Sequence, residues 1–313
     1  MGSRIVSLGH YQPSRVLTND DLAQMVDTND EWIRDRVGIV TRRIADGESV
    51  ADMAATAAEK ALANSGLTAA DIDTVIVATC SAVDRIPNVA CRVAGKLGIS
   101  APAAFDLNTA CSGFSYGLAT ADHAISAGAS RNALVIGAER LSDFIDWTDR
   151  ATCIIFADAA GAAVVSATGP DEPSGIGPVV WGSVPEKSDA VRIEGWRPYI
   201  RQEGQTVFRW ATTALAPLAT QACERAGVDP AELAAFVPHQ ANARIIDGIA
   251  KRIGMPSAVV AKDIVESGNT SAASVPLALS KLVERREVPS GAPVLLFGFG
   301  GGLTYAGQVV RCP

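Results

Sequence analysis

The chain has 313 residues, 48% of them hydrophobic and 19% charged, with a formal net charge of −7. That composition excludes a disordered tail protein, which is poor in apolar residues and high in net charge, and a chain this long buries a full core without disulfide staples. The acidic balance argues against a protein that coats duplex nucleic acid, where clustered Lys and Arg must neutralise phosphates.

Met1-Gly-Ser-Arg4 leads directly into strand-like Ile5-Val-Ser-Leu8 with no signal-peptide pattern, so a cytoplasmic location is expected. The six cysteines, at 80, 91, 111, 153, 223 and 312, form no C-x-x-C pair and no zinc spacing with a histidine. Reduced thiols and no metal site are expected. Thr28-Asn-Asp-Glu-Trp32-Ile-Arg-Asp-Arg36 opens like a capped helix. Trp32 and Arg36 share a face, and an aromatic plate beside a cation suits a nucleotide; a core Trp with a solvated Arg is the simpler alternative.

The chain then repeats itself. Ala61-Leu-Ala-Asn-Ser-Gly66 and the acidic turn to Ile72 match Ala222-Cys-Glu-Arg-Ala-Gly227 and the turn to Leu233, at an offset of 161. In both copies an Ala-rich helix ends at Gly, a left-handed cap, before an apolar run at Val75 or Phe236. Leu134-Val-Ile-Gly137 meets Leu295-Leu-Phe-Gly298 at the same offset of 161, whereas Val164-Val165 meets Val309-Val310 at 145. The first half therefore carries about 16 extra residues, near Glu139 to Thr152. A Gly- and Pro-rich linker at Ala167 to Pro178 separates halves at 1–167 and 179–313, each alternating strand and helix patterns.

Four further motifs carry possible chemistry. Cys111, in Asn108-Thr-Ala-Cys-Ser-Gly113, lies where a strand gives way to a small-residue helix. A thiolate is favoured there by the helix dipole, and nearby amides can hold an oxyanion; the alternative is a small buried hydrophobe, as the other five cysteines read. His239, in Pro238-His-Gln-Ala-Asn242, ends a strand, the usual place for a site in an open α/β sheet. His10 in an N-terminal turn and His123 in a helix read as structural. Asn269, in Gly268-Asn-Thr-Ser271, is either an N-cap or a neutral N–H donor. The stretch Val288–Val310 holds no charge but six Gly and two Pro. It reads as two buried strands around Gly298-Phe-Gly-Gly-Gly302, with no membrane span.

Asn29-Asp-Glu-Trp-Ile33, Ala110-Cys-Ser-Gly-Phe114, His239-Gln-Ala-Asn242, Gly268-Asn-Thr-Ser-Ala-Ala-Ser274 and Gly298-Phe-Gly-Gly-Gly302, in this order, resemble β-ketoacyl-acyl carrier protein synthase III. This is the initiating condensing enzyme of fatty acid synthesis, within the thiolase superfamily. The resemblance implies a five-layer αβαβα fold and decarboxylative condensation of acyl-CoA with malonyl-acyl carrier protein. It gives Cys111 the role of nucleophile, His239 and Asn269 that of enolate stabilisers, Gly301 a place in the oxyanion hole and Phe299 one beside the malonyl carboxylate. It also implies CoA contacts at Thr28, Trp32, Arg36, Arg150 and Asn242, an acyl pocket at Ile86, Leu141 and Phe156, and carrier-protein docking at Arg244, Lys251 and Arg252. A homodimer follows from it too, as does acyl-CoA as a substrate rather than a resident cofactor. A branched aliphatic at Ile86 leaves room for short branched primers. Ala in Phe156-Ala-Asp-Ala-Ala-Gly161, Thr304-Tyr-Ala306, and a short stretch from Pro185 to Arg201 depart from the family pattern.

Three alternatives stand beside this reading: a polyketide starter-unit condensing enzyme, an acyltransferase that only shuttles acyl groups, and a non-catalytic partner subunit. Asn269 and Cys111 favour condensation over the last two. A thiolase proper would need a second catalytic Cys near the glycine loop, and Cys223 and Cys312 lie outside any such motif.

Overall fold

Val75 and Val77 point to one side of a strand and Ile76 to the other, and all three are fully buried. A strand apolar on both faces must lie between two covering layers, and that requirement organises the molecule. The structure, a computed structural model, describes residues 2–195 and 199–313.

Ten strands build two central sheets. The first holds β1 (Ser3–Tyr11), β2 (Thr74–Ala78), β3 (Ala103–Leu107), β4 (Asn132–Arg140) and β5 (Asp158–Ala167), in the order β1-β5-β4-β2-β3. The second holds β6 (Val180–Gly182), β7 (Ala235–Pro238), β8 (Val259–Val260), β9 (Pro293–Gly300) and β10 (Thr304–Arg311), in the order β6-β10-β9-β7-β8. The two orders are the same, and so are the directions: two antiparallel pairings followed by two parallel ones. Leu134 pairs with Val164 and Leu295 with Val309, which is the sequence repeat written in hydrogen bonds. Strand β4 runs to Arg140, so the extra first-half residues are 141–157 rather than Glu139 to Thr152.

Among the described residues, α1 (Asp30–Val37) packs in a separate cluster with Leu141 and Phe156, and six helices cover the sheets: α2 (Val50–Ser65), α3 (Val89–Leu97), α4 (Gly113–Ser126), α5 (Gly204–Ala226), α6 (Ala243–Ile253) and α7 (Ser274–Glu284). Helices α2 and α3 pack outside the first sheet and α5 and α6 outside the second. Helices α4 and α7 fill the middle, where Phe114, Leu118, Val275 and Leu279 meet Ile76, Val135, Val237 and Leu296. The result is the expected α/β, thiolase-like αβαβα stack of two duplicated halves. Gly66 and Gly227 end α2 and α5 at φ 74° and 65°, as the repeated helix-Gly pattern requires. The linker is stitched to both sheets: Gly175 N–H donates to Ser3 O at 2.8 Å, and Arg311 N–H donates to Gly175 O at 2.7 Å. His10 lies within β1 opposite Gly161, not in a turn, with Nδ1 2.9 Å from Ser280 Oγ.

The chain turns into each central helix through a short 3-10 elbow, Ala110–Ser112 before α4 and Ser271–Ala273 before α7. Both elbows begin with a non-glycine residue in the left-handed region, Ala110 at φ 47° and Ser271 at φ 48°. Each presses on a strand of the other half. A Cβ on Gly137 would lie 2.2 Å from Ala272 O, and one on Gly298 would lie 2.9 Å from Ser112 Cα. The repeated glycine of the Leu-x-x-Gly motif is thus a close-approach residue.

Gly137→Ala must displace backbone, so it is expected to cost about 1–3 kcal/mol, read from the denaturant midpoint. Gly95→Ala, in α3 where nothing lies within 4 Å, is expected to leave stability unchanged or raise it slightly.

Candidate active site

The left-handed Ala110 projects Cys111 from its elbow. The elbow is braced by Ser112, whose Oγ donates to Thr109 O at 2.8 Å and lies 2.8 Å from Thr304 Oγ1. Thr304 begins β10 beyond the glycine turn, so that turn is held against the elbow. A Cβ on Gly300 would come within 2.5 Å of Cys111 Cβ and 2.9 Å of its Sγ. Gly300 has extended backbone at φ 170°, so it is required for space rather than for its torsion angles.

The N–H groups of Cys111 and Gly301 and the hydroxyl of Ser271 all favour a thiolate at Cys111. Burial nonetheless outweighs them and pushes the thiol up to about 11. This corrects the expectation of a resting thiolate favoured by a helix dipole: desolvation of the charged form exceeds what a few aligned donors return. The two amides aimed at the sulfur are placed to receive an oxyanion forming beside it.

His239 follows β7, its N–H donating to Phe297 O at 2.8 Å. The ring is buried, and its Nδ1 lies 2.7 Å from Ser274 Oγ, which also accepts the Gln240 N–H at 3.3 Å. Ser274 thus engages Nδ1 and leaves Nε2 as the ring nitrogen free to meet a ligand. Burial drives the His239 pKa down to about 3, so the ring is a neutral donor. Phe299 meets it edge to face with centroids 5.2 Å apart.

Asn269 is buried and held by main chain on both sides. Its N–H donates to Ile155 O at 3.0 Å, and its carbonyl accepts from Ala157 N–H at 2.9 Å. The side-chain Oδ1 accepts the Ser271 N–H at 2.9 Å. That is a local turn, not the N-cap of α7, whose cap is Ala273. It leaves the Nδ2 donors for a ligand. Phe299 meets His239 and adjoins Gly300, which abuts Cys111, and Asn269 accepts the N–H of Ser271, whose elbow packs against the elbow that carries Cys111. The three residues thus converge on one place from both halves.

Near α1, the Arg150 guanidinium lies 5.0 Å from the Trp32 ring centroid and donates to Asp27 O at 2.8 Å. Trp32 thus pairs with Arg150, as the resemblance implies for these two residues, while Arg36 on the same helix is exposed. Asn29, not Thr28, caps α1; Thr28 Oγ1 is buried without a hydrogen-bond partner. Asn242 caps α6 through Oδ1, accepting the Arg244 N–H at 2.9 Å, and donates from Nδ2 to Arg36 O at 3.1 Å. It thereby joins the two halves. Leu141 and Phe156 are buried in one cluster with Ile33 and Ile154, whereas Ile86 is 88% exposed and stands apart from them. Arg244 lies 5.4 Å from the Phe208 ring centroid, Lys251 is exposed, and Arg252 donates to Thr212 O.

Sequence reasoning missed a cluster behind the nucleophile. Glu139 is fully buried at the end of β4 and accepts from the Thr79 and Ser81 hydroxyls and from the Cys80 N–H. Cys80 Sγ lies 3.3 Å from Glu139 Oε1 and 3.8 Å from Ser271 Oγ. Cys80 is therefore no simple core hydrophobe, and Cys91 is exposed. The one legible signal was a carboxylate ending an otherwise apolar strand.

Family models described as 3-oxoacyl-[acyl-carrier-protein] synthase III match residues 105–185 and, for its C-terminal part, 223–312. The chain is 64% identical over 313 residues to a β-ketoacyl-[acyl-carrier-protein] synthase III of Streptomyces coelicolor, covering 100% of this chain and 99% of that one. A solved 3-oxoacyl-[acyl-carrier-protein] synthase III from Aquifex aeolicus is 40% identical, with TM-score 0.95 over 99% of this chain and 100% of that one. The priming β-ketosynthase of the R1128 polyketide pathway is 41% identical, with TM-score 0.97 over 100% of this chain and 96% of that one.

An exposed imidazole titrates near ~6.5, but His239 stays neutral in the fold down to about 3. Between these values the unfolded chain binds the extra proton, so this site's contribution to stability is intact above about pH 6.5 and is lost as the pH falls toward 3. The urea midpoint of the wild type is expected to fall more steeply over that window than that of His239→Gln; parallel curves would contradict a buried neutral ring.

Proposed function

The chain belongs to the 3-oxoacyl-[acyl-carrier-protein] synthase III family, and we propose on that premise a division of roles among its residues. The enzyme condenses an acyl-CoA primer with malonyl-acyl carrier protein, giving 3-oxoacyl-acyl carrier protein, CoA and CO2. Cys111 attacks the primer thioester, the Cys111 and Gly301 amides hold the tetrahedral oxyanion, and CoA departs. Malonyl-carrier protein then loses CO2 beside Phe299. The His239 Nε2–H and the Asn269 Nδ2 donors stabilise the thioester enolate, whose carbon attacks the acyl-Cys111 carbonyl. The observation that carries this reading is the buried, neutral His239, whose Nδ1 is engaged by Ser274 and whose Nε2 is left for the substrate. A neutral donor stabilises an enolate without giving its proton away.

In this account Thr28, Trp32, Arg36, Arg150 and Asn242 border the CoA path, with the buried unpartnered Thr28 Oγ1 and the Trp32–Arg150 pair as support. Leu141 and Phe156 line the acyl pocket. Acyl-CoA is a substrate, so no resident cofactor is required. The exposed Ile86 reaches a second subunit's pocket in a homodimer. Support for the dimer is that β3 is an edge strand with Phe105 37% exposed, a surface that pairing with a second copy would cover. Among the described residues no helix is long and apolar enough to cross a membrane, in keeping with a cytoplasmic enzyme. Polyketide priming is the second reading, favoured by the likeness to the R1128 priming enzyme; the chemistry at Cys111 is the same in both.

Intact mass after incubation with acetyl-, isobutyryl- and longer acyl-CoAs is expected to show one acyl adduct, with short straight and branched primers both accepted, and none on Cys111→Ala. No adduct with any of them would contradict loading of Cys111 from these acyl-CoAs. Arg244→Glu is expected to raise KM for malonyl-carrier protein about tenfold by charge reversal at the docking face, while acyl-CoA loading is unchanged.

A further inference from the structure

Around Cys111 the two copies of the repeat differ in a way that packing does not require. At the offsets of 161 and 145, the counterparts of Cys111, Ser112 and Thr304 are Ala272, Ala273 and Ala159. In that copy Ala159 and Ala273 are fully buried and pack together with Leu277. The elbow there keeps the same left-handed start, Ser271 at φ 48° against Ala110 at φ 47°. Two alanines therefore suffice to seat an elbow of this shape against its strand. Where the nucleophile stands, the same two places hold hydroxyls whose oxygens are 2.8 Å apart. Exchanging an apolar contact for a hydrogen-bonded hydroxyl pair is nearly neutral for stability, so the hydroxyls call for another reason.

The reason lies in the carbonyls they reach. Ser112 Oγ donates to Thr109 O at 2.8 Å, and Thr304 Oγ1 lies 3.1 Å from Thr109 O and 2.9 Å from Gly301 O. Thr109 O sits on the peptide just before the one that carries the Cys111 N–H. Gly301 O sits on the peptide just after the one that carries the Gly301 N–H. The two stretches touch, since a Cβ on Gly301 would lie 3.1 Å from Ala110 Cβ. Both are also strained: Ala110 and, in the glycine turn, Leu303 at φ 38° hold a left-handed backbone that a side chain keeps only under constraint.

We propose that Ser112 and Thr304 are positioning residues that set the spacing of the Cys111 and Gly301 amides, so that both reach one oxyanion. The inference rests on those amides as the oxyanion hole. One amide comes from the first half and the other from the second, and the hydroxyl pair links the halves beside them. Such donors work only when both stand about 2.7–3.1 Å from the oxygen that gains charge. The pair acts through the main chain, by holding a carbonyl on either side.

Ser112→Ala, Thr304→Ala and the two together reproduce the alanines of the other copy, so all three variants are expected to melt near the wild-type temperature. The maximal rate of acylation by the acyl-CoA that loads the wild type is expected to fall about ten- to a hundredfold in each, as misplacement of a donor by up to an ångström produces. The half-saturating acyl-CoA concentration is expected to stay unchanged. The paired substitution is expected to be no slower than the slower single one, because the hydroxyls act as one unit. Thr304→Ser keeps the hydroxyl and is expected to recover most of the rate. The readout that a merely structural role would not move is the carbonyl stretch of the acyl group on Cys111, read by infrared difference with isotope-labelled primer. Donors lower that stretch, so it is expected to rise in the Ala variants and to return in Thr304→Ser. Wild-type acylation in the paired variant would overturn the proposal, as would slow acylation with an unmoved carbonyl band. A wild-type band no lower than that of an alkyl thioester in an apolar solvent would remove the oxyanion hole itself, and the proposal with it, so the two failures are told apart.

Discussion

The contact on which the rest depends is the meeting of two elbows at the centre of the molecule. A Cβ on Gly113 would lie 3.3 Å from Ala272 Cβ, so the elbow that carries Cys111 touches the elbow that carries Ser271. Each elbow also bears on a strand glycine of the other half, Gly137 or Gly298. Side chains at these positions would hold the two sheets apart and open the site. Dense packing at a pseudo-twofold axis therefore determines the catalytic geometry: the nucleophile comes from one copy of the repeat, and the histidine, the asparagine and the glycine turn come from the other. The insertion at 141–157 then adds what the second copy lacks, a segment bearing Arg150 and Phe156 whose carbonyl and amide groups grip Asn269.

The same density sets the electrostatics. Cys111, His239 and Glu139 are each displaced toward their neutral forms, and burial is the largest cause in all three. A site of this kind carries little fixed charge at rest. It stabilises charge when charge appears, through amides and neutral donors already aimed at the place where it forms. That is consistent with a reaction whose intermediates are an oxyanion and an enolate. Arg42 shows the same economy in the frame: its guanidinium is fully buried and donates to Leu17 O, Asn19 Oδ1 and Ile154 O, with burial lowering its pKa to about 10. It ties the N-terminal cap to the segment that holds Asn269.

Much of this was legible in the residues. The repeat was visible because strand registers and close-approach glycines tolerate little change; Gly137 and Gly298 matched in sequence for the reason they match in space. His239 was found because it ends a strand, and the glycine turn because six Gly in an uncharged stretch do not make a membrane helix. The protonation state of Cys111 was misread, since a helix-terminus argument is local and desolvation depends on everything packed around the sulfur. Glu139, Cys80 and Ser271 lie far apart in sequence and gain meaning only when the halves close. Nothing in the sequence sets Arg42 apart from its neighbour Arg43; its burial does. Asn269 stood out beside Gly268, but its local bond is a turn to Ser271 and not a helix cap.

The central claim is that the second half supplies groups for condensation that the acylation step does not need. Its most direct test is single-turnover kinetics that time the two steps separately in His239→Ala and Asn269→Ala. Each variant is expected to load the primer onto Cys111 at close to the wild-type rate, and then to condense with malonyl-carrier protein about a hundredfold or more slower, the usual loss when one donor to a developing charge is removed. Equal losses in both steps would contradict the account.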